Sequence, residues 1–283
     1  MNQTKIQIII PLYNGEKYIK KCLDSVIAQT YPHWQAIVID DASADGGVGI
    51  VGSYTKKDER ILCIRKEENR GVSHTRNMGL DMASAEYVAF LDSDDYWEKD
   101  MLETLITYAE KHSCEVVQSR FIYDYPGGKT KIPGGVFKKD TFLEGKGIRK
   151  IYKKMVTGIN MNHVCMKLIK TDLMRDIRFD TSLKTAEDLK VCAQLFTKVS
   201  KYCFIDKPLY HYCRNEESLT GSGLSGKEKL KANRAVSKEI AKAMKKIGMG
   251  PFSRFRAYMR PYVIIISKTW RIICEKVLSG KEK

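Results

Sequence analysis

No Cys-x-x-Cys pair occurs among the eight cysteines of this chain, its five histidines are scattered, and no apolar run reaches the length of a membrane span. The first two absences argue against a zinc site and against a thioredoxin-like redox centre, both of which need thiols or imidazoles at close spacing. Most of the cysteines, at 22, 63, 114, 165, 192, 203, 213 and 274, fall inside apolar stretches, so reduced, buried thiols are expected. The third absence argues against a spanning helix, which needs about 20 apolar residues. Residues 6–10 are too short an apolar run, and too soon followed by Pro11 and charge, to read as a signal peptide; a cytoplasmic protein is expected. No internal repeat is visible. No Gly-rich phosphate loop follows the first strand, where a nucleotidyltransferase should carry one.

What the sequence has in excess is positive charge, +15 over 283 residues. Its placement argues against nucleic acid as the partner. Residues 225–283 hold 16 Lys and Arg against 4 Asp and Glu, so +12 of the +15 lies in the tail and the preceding 224 residues stand near neutrality. A near-neutral body with a basic tail points to an anionic surface met by the tail. Residues 227–246 read as a basic helix, and 252–278 place Tyr262, Ile266, Trp270, Ile273 and Val277 along one stripe. Such a helix suits either the inner face of a membrane, as a peripheral attachment, or packing on the body.

Within the body, short β-rich apolar runs alternate with helical periodicity: strands at residues 5–10, 34–39, 60–65 and 87–91, helices at 16–30 and 74–82. This is one half of a doubly wound α/β sheet with right-handed crossovers. Further on, strands are expected at 115–125, 131–137 and 202–212, a strand or an irregular wall at 160–169, and helices at 97–111, 147–157 and 189–199. The expected division is a body of residues 1–224, whose halves meet near residue 100, and a basic helical tail of 225–283.

Two strands end in acids. Asp40-Asp41 closes the second, and Asp92-Ser93-Asp94-Asp95 closes the fourth. Carboxyl ends of parallel strands are where open α/β sheets bind ligands. Alternation would aim Asp92 and Asp94 to one side, and hard oxygen ligands suit Mg²⁺ or Mn²⁺ shared with substrate phosphates. Asp95 alone is also explained as the cap of the following helix, as Ser73 is of the helix that carries Arg76. Glu187 and Asp188 open another helix, where the dipole favours acids; a carboxylate fixed on a rigid helix start is also what a general base needs. His163, alone among apolar neighbours, reads as structural. The polar, Gly-rich segment 214–223 suits closure over a substrate or a plain linker.

With these features in place, the chain resembles the inverting family 2 nucleotide-sugar glycosyltransferases of GT-A fold. The likeness rests on Ile9-Ile10-Pro11-Leu12-Tyr13-Asn14, Val38-Ile39-Asp40-Asp41-Ala42-Ser43, Asn69-Arg70-Gly71 with Arg76-Asn77-Met78-Gly79, and Phe90-Leu91-Asp92-Ser93-Asp94-Asp95. It is close over residues 5–100 and looser to about 222. The resemblance implies a Rossmann-like, mostly parallel central sheet flanked by helices, with a C-terminal helical extension. It further implies that Pro11, Tyr13, Asp41 and Arg76 surround the nucleotide base and Asp92 meets the ribose. Asp94, with Asp95 in reserve, would hold Mn²⁺ or Mg²⁺ on the diphosphate, and Asp188, beside Glu187, would be the catalytic base. The implied substrates are a nucleotide-diphosphate sugar, UDP-linked by expectation, and a hydroxyl of a glycan or lipid-linked acceptor in surface polysaccharide synthesis. Two departures stand out: Ala42 and Ala186 occupy positions where the family usually has glycine. A non-catalytic nucleotide-sugar binder is the remaining alternative, separated from an enzyme by testing for turnover.

Overall fold

A computed structural model describes residues 5–157, 161–214 and 225–261. The first third of the chain folds as its apolar pattern dictates. Strands β1 (Ile6–Leu12), β2 (Trp34–Asp40), β3 (Ile61–Arg65) and β4 (Tyr87–Phe90) pair in parallel in the order β3-β2-β1-β4. All seven residues of β1 are buried, as a strand covered on both faces must be. Helices α1 (Ile19–Ile27), α2 (Gly47–Thr55) and α3 (Val72–Asp81) make the crossovers. Ile19, Cys22, Leu23 and Val26 form the buried stripe of α1 at helical spacing. A Cβ on Gly79 would lie 2.5 Å from Cγ2 of Ile9, so glycine there lets α3 approach β1 closely.

The remainder completes the sheet by less local pairings. It comprises β5 (Tyr96–Trp97), α4 (Met101–His112), β6 (Val116–Asp124), β7 (Thr130–Lys131), β8 (Thr141–Glu144), α5 (Arg149–Thr157), β9 (Lys167–Lys170), α6 (Glu187–Leu195) and β10 (Lys201–Cys213). Strand β9 lies antiparallel between β4 and β6, and β10 runs parallel to β6, giving the order β3-β2-β1-β4-β9-β6-β10-β5. Strand β10 continues through Pro208, where the pairing shifts register.

Several local expectations give way. The helix expected from residue 97 starts at Met101 with Asp100 at its N-cap, because Tyr96 and Trp97 pair with Tyr210 and His211. Gly71, at φ 83°, replaces Ser73 as the cap of α3. The expected strand 131–137 pairs only at Thr130–Lys131, and that at 160–169 is reduced to β9. Helix α2, with three glycines, had no periodic signal, yet it buries Val51. The expectation of reduced thiols throughout fails for Cys114 and Cys203, which form a disulfide with Cα atoms 6.2 Å apart. The parallel β6–β10 pairing sets Cys203 beside Val117 and brings together cysteines 89 residues apart, which local spacing does not encode.

Helix α7 (Gly226–Lys246) opens with a capping box, Ser225 Oγ accepting from the Glu228 amide at 3.2 Å and Glu228 Oε2 accepting from the Ser225 amide at 2.9 Å. Its apolar face, including Val236, Ile240 and Met244, joins the core against α5 and α6. Two arginine bonds secure the junction: Arg149 Nε to the Ile247 carbonyl (3.0 Å) and Arg260 Nε to that of Met155 (3.1 Å). Residues 251–261 continue as helix. No helix among the described residues is long and apolar enough to cross a membrane. The stripe expected from Tyr262 onward and most of the 214–223 segment lie outside the described residues.

Candidate active site

The carboxyl ends of β1, β2 and β4 and the starts of α3 and α6 surround a cleft of about 490 Å³. Loops after β1 and β2 are locked together first. Asn14, at φ 48°, donates its amide to Ser43 Oγ (2.9 Å) and accepts from the Ala44 amide (2.9 Å). Pro11 and the half-exposed Tyr13 then face the cleft as one wall.

Asp40 and Asp41 divide their tasks by burial. Asp40 is fully buried, its carboxylate accepting from the Ser43 amide (3.2 Å), and serves the turn. Asp41 lines the cleft and accepts from the amides of Arg70 (3.0 Å) and Gly71 (2.7 Å) and from Lys66 Nζ. Burial pushes its pKa up, but these donors outweigh that and hold the carboxyl below its ordinary value. Asp41 thereby also fixes the 66–71 loop, which contributes Asn69 and Gly71 to the cleft.

After Phe90 the backbone leaves the strand, so the alternation expected to separate Ser93 from Asp92 and Asp94 does not hold: all three line the cleft. Asp95 is the one turned away. It is 2 % exposed and accepts from Tyr210 Oη (2.5 Å) and the Cys213 amide (2.8 Å), tying the loop to β10. Burial, with Asp94 and Asp92 adding repulsion, pushes its pKa well up. A buried carboxyl so engaged is structural, and the reserve metal role gives way to a role in the wall behind the site. Neither does Asp95 cap α4.

Arg76 is the hub. It is 4 % exposed, and its guanidinium donates to Asp92 Oδ1 (2.7 Å) from Nη2 and to Asp188 Oδ1 (2.9 Å) and Glu187 Oε1 (3.3 Å) from Nη1. Burial opposes its charge, but Asp92, Asp188 and Glu187 overcome that and hold its pKa well above the ordinary value. Asp92 also accepts from the Cys165 thiol (3.4 Å), and Asp188 Oδ2 from the Val164 amide (3.3 Å). Glu187 lines the cleft beside Asp188, and burial, reinforced by the Asp188 charge and opposed by Arg76, raises its pKa to about 7. Glu187 therefore titrates near neutrality, while Arg76 Nη1 and the Val164 amide both donate to Asp188.

His163 is not part of this acid cluster. It lies between Phe121 and Tyr212, each 6.4 Å away by ring centroids, and burial lowers its pKa. Tyr212 also lines the cleft, and Arg214 stacks over Tyr212 and Tyr123, 5.7 and 4.9 Å from their ring centroids. Sequence reasoning missed Tyr18, Asn69, Thr75 and Tyr212 as lining residues; only β10 ending beside β6 reveals the last.

For a divalent cation the fitting donor is Asp94, a carboxylate that lines the cleft beside Asp92 and Ser93. No group of three or more metal-ligating side chains occurs among the described residues. One hard oxygen ligand at an open cleft fits a Mg²⁺ or Mn²⁺ held largely by substrate phosphates and water, not a preformed cage.

The sequence of residues 7–178, more than half the chain, matches the model of glycosyl transferase family 2. Glycosyltransferase GlyA of Streptococcus pneumoniae is 31% identical over 221 residues, covering 76% of this chain and 31% of that protein. Poly(ribitol-phosphate) beta-N-acetylglucosaminyltransferase TarS of Staphylococcus aureus is 28% identical over 249 residues, covering 84% of this chain and 41% of TarS. The chain thus spans less than half the length of either relative. The structure of S. aureus TarS 1–349 in complex with UDP-GlcNAc matches with a TM-score of 0.71 at 26% identity, over 86% of this chain and 70% of that one. The mannosyltransferase PcManGT from Pyrobaculum calidifontis, in complex with GDP-Man and Mn²⁺, shares the fold alone, with a TM-score of 0.60 at 16% identity over 91% of this chain and 70% of that one. Sheet order, cleft and family match agree with the expected GT-A architecture, and the chain belongs to glycosyl transferase family 2.

Proposed function

We propose that this chain is an inverting glycosyltransferase that moves a sugar from a UDP-sugar to a hydroxyl of a cell-surface polymer or lipid-linked glycan. The observation that carries this reading is Arg76, which ties a donor-side acid, Asp92, to the acid pair Glu187–Asp188 across one cleft. Similarity to TarS, whose structure holds UDP-GlcNAc, supports a uridine donor. The name of TarS, a poly(ribitol-phosphate) glycosyltransferase, supports a polymer hydroxyl as the acceptor.

In this reading the nucleotide base rests against Pro11 and Tyr13, with Asp41 at its edge, and the ribose meets Asp92. Asp94 would hold a divalent cation, which when bound offsets the charge on the departing diphosphate. The acceptor approaches from Tyr212, where Tyr123 and Arg214 extend the wall away from the cleft. Asp188 takes the acceptor's proton, its carboxylate held in place by Arg76 and the Val164 amide. The acceptor oxygen forms its bond to the anomeric carbon as the bond to the diphosphate breaks on the opposite face, so the centre inverts.

Outside the cleft, residues 251–261 turn Phe252, Phe255, Tyr258 and Met259 to solvent beside the exposed Arg256. Apolar side chains in a tail carrying +12 support attachment to an anionic membrane face.

The test is a UDP-sugar screen for UDP release, repeated with Asp188→Asn. The substitution is expected to lower kcat by about 10²–10⁴-fold, the usual worth of a general base, with UDP affinity nearly unchanged. Near-normal turnover would sink the assignment.

A further inference from the structure

Lys167 has no part in the chemistry described so far, yet it is the most deeply buried ammonium in the site's neighbourhood, with no exposed surface. Its Nζ forms no ion pair among the described residues. It donates instead to two backbone carbonyls, those of His163 and, at 3.4 Å, Met161. Burial pulls its pKa down, against the opposing charges of Cys192, Asp188 and Cys165. An ammonium held only by carbonyls costs stability that an apolar side chain of the same length would not.

The same residue closes the turn a second time. Its backbone amide donates to the Val164 carbonyl at 3.1 Å. Val164 is also the residue whose N–H reaches Asp188 Oδ2 at 3.3 Å, the only contact to that oxygen among the described residues. The turn lies just before β9, itself gripped between β4 and β6, so the pull of Lys167 is referred to the centre of the sheet.

We propose that Lys167 is a positioning residue for the catalytic base: by holding the 161–164 turn it aims the Val164 amide at Asp188 and fixes the carboxylate's orientation. The proposal rests on the reading of Asp188 as the base. Other groups bear on Asp188 too. Arg76 reaches it from α3, Glu187 adjoins it on α6, His163 sits on the turn, and the Cys165 and Cys192 thiols and Arg76-bound Asp92 lie close behind. Lys167 differs from these in acting on the geometry of the turn as well as on its charge.

Removing the amine releases the turn and takes away a positive charge. Both changes leave the Asp188 carboxylate less firmly oriented, so the loss is expected in kcat and not in donor KM. With the best UDP-sugar of the screen as probe, Lys167→Met should lower kcat at neutral pH about 10–100-fold. UDP affinity and donor KM should stay within about twofold, because the side chain of Lys167 donates to the Met161 and His163 carbonyls and not to Pro11, Tyr13, Asp41 or Asp92. Lys167→Gln keeps a donor for the two carbonyls and should recover most of the lost turnover. A wild-type kcat in Lys167→Met would overturn the proposal, as would loss of UDP binding in step with turnover. Should Lys167→Met not fold, Lys167→Gln carries the decision: a variant that binds UDP but is as inactive as Asp188→Asn overturns it. Adding the Lys167 change to Asp188→Asn should lower kcat no further. Additive losses there reject the role of Lys167 alone, whereas normal turnover in Asp188→Asn by itself rejects the base and this proposal together.

Discussion

At the scale of single residues, the site is organised by one arginine and one carboxyl, Glu187, that titrates near neutrality. Arg76 neutralises part of a three-carboxylate cluster that would otherwise repel itself, and the residual repulsion appears at Glu187, whose pKa rises to about 7. The sign of its effect on stability follows. Folded Glu187 holds its proton to higher pH than in the unfolded chain, where the ordinary value is 4.5. Between those two values the folded state binds more protons, so stability falls as pH rises, by up to about 3 kcal/mol above pH 7. Glu187→Gln removes this loss. Urea titration should find the variant more stable than the parent at pH 8 and no better at pH 4.5; equal effects at both would show that the carboxyl does not titrate this way. The acids themselves were legible, because Asp92, Asp94 and Glu187-Asp188 stand at strand and helix ends where structure alone needs fewer of them. That Glu187 and not Asp188 lines the cleft, and that Asp95 turns inward to Tyr210, was not legible. The first depends on Arg76 and the Val164 amide, which hold Asp188, and the second on where β10 lies, more than a hundred residues from Asp95.

At the scale of elements, the two departures from the family's glycine pattern fall where the backbone is left-handed. Ala186, the N-cap of α6, has φ 64° and ψ 17°, and Ala42, after the paired acids of β2, has φ 60°. Left-handed backbone costs an alanine about 1–2 kcal/mol, partly offset because glycine loses more freedom on folding, about 0.5–1 kcal/mol. Ala186→Gly is therefore expected to raise stability by up to about 1 kcal/mol in chemical denaturation, with UDP binding retained. A destabilised variant would show that the Ala186 methyl, which packs against the core, is worth more than the strain. Elements with their own periodicity, such as β1, α1 and β2, were readable from apolar spacing. Helix α2 was not, since Gly47, Gly49 and Gly52 erase its helical signal and only packing against its neighbours α1 and β3 makes it a helix. Lys167 was equally hidden: a lysine in an apolar strand gives no sign that two carbonyls await it.

At the scale of the whole molecule, the basic tail divides into a part that packs and a part that faces out. Helix α7 buries its apolar face on α5 and α6, while residues 251–261 bury Ala257 and Arg260 and expose Phe252 (75 %) and Phe255 (58 %). If that outer face meets a membrane, Phe252→Ser with Phe255→Ser should weaken binding to phosphatidylglycerol vesicles at least about tenfold and leave UDP release from the donor unchanged. Unaltered binding in co-sedimentation would remove the membrane from the account.

The place of β9 has a consequence for how the chain is made. Strand β4 leaves the ribosome with its inner edge unpaired, and the strand that covers that edge, Lys167–Lys170, follows roughly eighty residues later. At ~5–20 residues per second that is on the order of ten seconds of synthesis. Throughout that interval the nascent N-terminal half displays an open, apolar β-edge, the kind of surface that recruits other chains. The arriving segment that closes the edge is continuous with the turn whose Val164 amide reaches Asp188, so sealing the sheet and bringing that amide to Asp188 are one event in the biogenesis of the protein.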